Sequence, residues 1–205
     1  MLISTTNCFK LNLPPLPNNL KSVLQQLANS IPINEQKRSW LENFHGNAYT
    51  IAGQEYGTEN TNINLAIQKD LNSIYEQYFP NEDIWYTIGK IQAYNKSNST
   101  IPPHCDRGRQ TAINFILETG GSNVKTVFYN YIRTDNDLSS AVNLTVDKLE
   151  IESLCIMQHN SWYTFNAQQA HGVKDVLGTR LIFSVVLGSN LNFNSFLSKY
   201  QHLLR

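Results

Sequence analysis

A chain of 205 residues that is 41 % apolar and 11 % aromatic can bury one sizeable core, and its composition is not that of a disordered segment. Sixteen basic residues cancel sixteen acidic ones, which excludes an overall field able to gather nucleic acid or an anionic membrane. No apolar run approaches a membrane span and the first ten residues lack a leader pattern, so a cytoplasmic protein is expected, with Cys8, Cys105 and Cys155 as reduced thiols.

Residues 1–13 alternate weakly, and Pro14-Pro15-Leu16-Pro17 ends any strand there. Asn18-Asn19 caps a predicted helix whose Leu20, Val23, Leu24 and Leu27 share a face, and the helix stops before Ile31-Pro32. Residues 33–61 show no period; their aromatics, Trp40 among them, are read as satellite packing in preference to a lid over substrate. Thr61 to Phe79 is a second amphipathic helix, ended by Pro80-Asn81. Strands follow over Ile84–Tyr94, the His104 region, Thr111–Leu117, Thr126–Ile132, Val142–Glu152, Ser153–Met157, His159–Phe165 and the run Leu181–Leu187. Phe193 to Leu204 has a helical pattern with Phe196, Leu197, Tyr200 and Leu203-Leu204 on one face. Seven or eight short antiparallel strands need closure as a sandwich or barrel. The expected layout is a single domain over 1–205, with helical and irregular support over about 1–83, a barrel over about 84–190 and a C-terminal helix over about 193–204.

The chemistry concentrates in Ile101-Pro-Pro-His-Cys-Asp-Arg-Gly-Arg109. On a strand, alternation puts His104 and Asp106 on one face and Cys105 on the other. A distant histidine completes a two-imidazole, one-carboxylate set that leaves three positions of an octahedral iron(II) open. His171, in Gln169-Ala-His-Gly172, is preferred to its rival His159, which sits in a turn-like context beside Asn160-Ser161. Nine residues beyond His171, Arg180 opens a buried run, and a buried guanidinium calls for a carboxylate from the protein or from a ligand.

Together, His104-Cys-Asp106, His171 and Arg180 resemble the signature of the iron(II)- and 2-oxoglutarate-dependent oxygenases. That resemblance implies a mainly β fold with flanking helices, the double-stranded β-helix or cupin-like jelly roll. It also implies iron(II) on His104, Asp106 and His171, with Arg180 holding the far carboxylate of 2-oxoglutarate. O2 and 2-oxoglutarate would then be consumed, with release of succinate and CO2, as an amino acid, a peptide side chain or a small metabolite is hydroxylated. Tyr94, ten residues before His104, resembles the cosubstrate-pocket tyrosine of the prolyl-hydroxylase branch. The block Ile101–Leu117 is similar to the aspartyl/asparaginyl-hydroxylase-like branch, which would turn Arg107 or Arg109 towards substrate. For both arginines an exposed charge or an ion pair is the competing reading. A cupin-like metal enzyme without 2-oxoglutarate leaves Arg180 unexplained, and a non-catalytic β-barrel binding module leaves the whole constellation to coincidence.

Overall fold

The computed structural model describes residues 7–30, 44–50, 61–93, 99–106, 108–134 and 142–205. Its framework is two antiparallel sheets. Strand β1 (Cys8–Leu11), β2 (Phe44–Thr50), β3 (Ile84–Ala93), β5 (Thr111–Thr119), β9 (Trp162–Asn166) and β11 (Thr179–Leu187) form a six-stranded sheet in the order β1-β9-β5-β11-β3-β2. Strand β4 (Ser99–Cys105), β6 (Lys125–Ile132), β7 (Val142–Asn143), β8 (Ile151–Cys155) and β10 (Gln169–Val176) form a five-stranded sheet in the order β7-β4-β10-β6-β8. From β3 to β6 the chain changes sheet at each step; it then turns within the second sheet to β8 and alternates back through β11. The first long strand therefore lies beside the last, β3 on β11, and the second beside the penultimate, β4 on β10. This is the jelly roll expected from the sequence.

Alternation along β11 decides which side chains face the interior. Leu181, Phe183, Val185 and Leu187 leave the sandwich and enter the largest apolar cluster, while Ile182 packs between the sheets with Ala112, Ile116 and Phe165. The helices cover the outer face of the six-stranded sheet. Helix α1 (Asn18–Ser30) contributes Leu20, Leu24 and Ala28, and α2 (Thr61–Tyr75) contributes Ile67, Leu71 and Tyr75, two i, i+4 stripes against the same cluster. Trp162 sits in that core with its ring centroid 5.2 Å from Tyr75, and its Nε1 donates to the Pro14 carbonyl at 2.8 Å. The proline segment is thereby tied to the sheet. Helix α3 (Phe193–Lys199) continues into a 3-10 turn, Gln201–Leu203, so the C-terminal element is shorter than its pattern suggested.

The support region before residue 84 also supplies two strands, with β1 pairing β9 and β2 pairing β3. One expectation changes. The alternating segment Val142–Glu152 is not one strand: β7 ends at Asn143, a 3-10 turn spans Val146–Lys148, and β8 starts at Ile151. Leu144, Leu149 and Leu154 all pack against the outer cluster of Cys105, Val127, Tyr129 and Ala170. Residues five apart fall on opposite sides of a continuous strand, so the chain has to break for all three to reach one face.

Candidate metal centre

Register builds the site. His171 of β10 lies directly opposite His104 of β4, and directly opposed residues share a face of a sheet. Both imidazoles therefore point into the sandwich, with ring centroids 4.5 Å apart. Asp106, one residue past β4, turns its carboxylate between them: Oδ1 lies 3.5 Å from His104 Nε2 and 3.6 Å from His171 Nε2. Cys105 points the opposite way into the outer cluster, as alternation requires.

The donor set fits a metal ion. Atoms sharing one ion at about 2.0–2.2 Å sit roughly 3–3.5 Å apart. Each imidazole is oriented through its other nitrogen, His104 Nδ1 against the Pro102 carbonyl at 2.9 Å and His171 Nδ1 against the Gln169 carbonyl at 2.8 Å. With Nδ1–H donating to the backbone, the lone pair of each neutral ring is on Nε2, facing Asp106. Among the described residues, these three are the group of His, Cys and acidic side chains arranged to hold a metal.

Asp106 divides its two oxygens. Oδ1 faces the imidazoles, and Oδ2 accepts from Arg109 Nε at 2.7 Å. Arg109 Nη1 continues to Asn114 Oδ1 at 3.4 Å, which also accepts from Ser184 Oγ at 2.7 Å. Burial alone would raise the Asp106 pKa, but the Arg109 guanidinium and the two imidazoles outweigh it and hold the carboxyl well below its ordinary range. Burial also disfavours charge on His104, yet its bond to Asp106 leaves its pKa raised. At His171 burial and the neighbouring His104 prevail, and the pKa is lowered. Two histidines in one site thus differ in the same direction as their exposure, 17 % for the His104 side chain and 6 % for that of His171.

Arg180 is 1 % exposed and lies between the sheets. Nη1 donates to the Thr119 carbonyl at 3.3 Å, Nη2 reaches Thr126 Oγ1 at 3.5 Å and Met157 Sδ at 3.6 Å, and Nε has no partner among the described residues. Among the described residues no carboxylate forms an ion pair with it. Burial pulls its pKa down to about 10. Thr126, which Nη2 approaches, is two positions along β6 from Phe128, the residue opposite His171, a spacing of roughly 7 Å along the strand.

The structure thus brings together His104, Asp106 and His171, and gives Arg109 to Asp106 as an ion pair. His159 stays apart in an exposed turn, its ring against Asn160. Tyr94, Arg107, Trp40 and most of residues 33–61 lie outside the described residues. Sequence reasoning missed Asn114 and Ser184, although each is a polar residue inside an otherwise apolar strand. Gln168 was missed too; its amide donates to the carbonyls of Asp106 at 3.1 Å and Arg109 at 2.6 Å.

No family profile and no curated protein matches this chain. Solved structures do. A prolyl-4-hydroxylase of Pseudomonas putida matches over 89 % of this chain and 92 % of its own, with 13 % identity and a TM-score of 0.48. An oxidoreductase of the 2OG-Fe(II) oxygenase family from Burkholderia pseudomallei matches over 83 % and 79 %, with 11 % identity and a TM-score of 0.48. A Trichoplax adhaerens prolyl hydroxylase, solved with a peptide fragment of the hypoxia-inducible-factor oxygen degradation domain, matches over 89 % and 84 %, with 14 % identity and a TM-score of 0.45.

Proposed function

We propose that this chain is an iron(II)- and 2-oxoglutarate-dependent oxygenase that hydroxylates an amino acid, a peptide side chain or a small metabolite. The carrying observation is the pairing of a three-donor cluster with Arg180, a buried guanidinium that meets no carboxylate among the described residues. Thr126, beside the fork, is roughly 7 Å along β6 from the position opposite His171, a spacing that suits a short dicarboxylate with one end at the metal and the other on the fork.

In this reading His104, Asp106 and His171 hold the metal. Bound iron(II) would supply the redox chemistry that couples oxidative decarboxylation of 2-oxoglutarate, to succinate and CO2, to hydroxylation. Arg109 positions Asp106 and keeps it ionised. Arg180 and Thr126 receive the far carboxylate of the cosubstrate. Phe128 and Phe165, whose rings lie 6.4 and 4.9 Å from that of His171, keep water from the buried side of the site. Beside Gln168 opens a polar recess lined also by Gln110, Arg133, Asn166 and Asn190, which offers side-chain amides to a polar substrate.

Anaerobic titration with iron(II) and then 2-oxoglutarate tests the proposal through the visible charge-transfer band that chelation produces. The band should form with the wild type and disappear in Asp106→Ala. Iron binding without a band would transfer the assignment to a metal enzyme that does not use 2-oxoglutarate. Absence of both would leave a binding module.

A further inference from the structure

Cys8 and Cys155 are 147 positions apart in the chain, yet their sulfurs lie 2.8 Å apart, and both thiols are reduced and partly exposed. Register explains the meeting. Cys8 is opposite Phe165 in the β1/β9 pair, and Cys155 is opposite Thr126 in the β8/β6 pair, so both point inward. β1 and β8 are edge strands of different sheets. The pair therefore spans the open side of the sandwich, packed on the interior cluster that contains Phe128, Met157 and Phe165.

We propose that Cys8 and Cys155 are an oxidation site at which a hydroperoxide converts two thiols into a disulfide bridging the two sheets. The Cys155 thiolate attacks the peroxide oxygen, breaking the O–O bond and giving a sulfenic acid, with the second oxygen leaving as an alcohol or as water. The Cys8 sulfur then displaces hydroxide from the Cys155 sulfur, and the hydroxide leaves as water with the Cys8 proton. Two thiols are oxidised by two electrons and one peroxide bond is reduced. Closing from 2.8 Å to a disulfide's length of about 2.05 Å brings the two sulfurs less than an ångström nearer.

The hydrogen bond that Cys155 shares with Cys8 and the nearby Arg180 guanidinium hold the Cys155 thiol below its ordinary pKa, against the opposing effect of burial. The same bond and burial push Cys8 up. In this scheme Cys155 is taken as the nucleophile and Cys8 as the resolving thiol, with Arg180 favouring thiolate on both sulfurs. Cys105 is fully buried, donates to the Gln168 carbonyl at 3.3 Å, and takes no part. The product would tie β1 to β8 beside Arg180 whether or not the metal centre acts as proposed above.

The test uses the full chain, reduced and kept with a chelator, treated with a small excess of hydrogen peroxide, capped with N-ethylmaleimide and peptide-mapped. The expected product is one chain lighter by two hydrogens, with the Cys8 and Cys155 peptides joined, Cys105 capped, and full reversal by dithiothreitol. The oxidised wild type should melt at a higher temperature than the reduced, whereas Cys155→Ser should show no such shift. In Cys8→Ser, a dimedone-trappable sulfenic acid should accumulate on Cys155. Three capped cysteines, a bond to Cys105, a bond between chains or separate sulfinic acids would each overturn the proposal, and the wild-type map decides even if a variant does not fold.

Discussion

Asp106 is a carboxylate with two separately assigned oxygens, and Arg109 holds the one that the imidazoles do not face. Replacing Arg109 by Met should weaken metal binding about 10–100-fold, as loss of a ligand-orienting partner commonly does. The acid limb of metal binding should also move to higher pH, because burial then raises the Asp106 pKa unopposed by the guanidinium. In the wild type, His104 has to lose a proton before it binds. Affinity should therefore climb as pH rises through the raised His104 pKa, with a proton released per ion bound below it. Calorimetric titration with manganese(II) in buffers of different ionisation enthalpy measures both effects. Arg180 gives the opposite signature to a structural residue. A buried cation that meets no carboxylate among the described residues is a burden on folding, so Arg180→Met should leave stability unchanged or raise it by about 1–4 kcal/mol. The same variant should keep iron and lose the 2-oxoglutarate-dependent band.

At the level of elements, the pairing of β4 with β10 sets the site, and Gly172 permits it. A Cβ at Gly172 would fall 2.5 Å from the Ile101 carbonyl oxygen, an atom fixed in the neighbouring strand. Gly172→Ala should force β4 and β10 apart, costing about 1–3 kcal/mol and weakening metal binding with every ligand still present. A second device anchors the C-terminal helix. Glu82 accepts from Lys199 Nζ at 2.6 Å, Tyr200 Oη at 3.1 Å and the Ser189 amide at 3.3 Å. Burial opposes ionisation of Glu82, but these bonds outweigh it and lower its pKa, so its contribution is present above the unfolded carboxylate range and is lost as pH falls through the folded value. Glu82→Gln should destabilise at neutral pH, and the difference from wild type should narrow on acidification in denaturant melts.

This level also shows what was legible in the sequence. The two helices, the His-x-Asp strand and the inward Arg180 followed from periodicity and burial, because each is a local pattern. The register of β4 on β10 was not, since it is set by pairing between residues about seventy apart. The break near Val146 was hidden because short-range alternation looks the same in a strand and in a segment that turns to keep three leucines on one face. Arg109 stood open between substrate contact and ion pair, and only the turn after β4 chose the ion pair.

For the whole molecule, ligand binding and folding are linked. If metal and cosubstrate bind the native chain alone, each at a hundred times its Kd should add about 2.7 kcal/mol, which is roughly a 5–10 °C rise in melting temperature per ligand for a chain of this size. A chelator should reverse the metal's share, and Asp106→Ala should show neither shift. Among the described residues the two sheets differ in how they are backed: α1 and α2 seal the outer face of the six-stranded sheet, whereas the five-stranded sheet carries a short clamp of leucines and leaves Ile132 and Ile151 exposed. The histidines sit on the thinly backed wall. Amide exchange should accordingly be fastest in β4, β6 and β10 and slowest in β5 and β11, so that sub-global opening dismantles the donor cluster while the helical half stays folded. A bound ion spanning β4 and its flanking turn to β10 would close that gap, making exchange protection of the weaker sheet a direct gauge of occupancy.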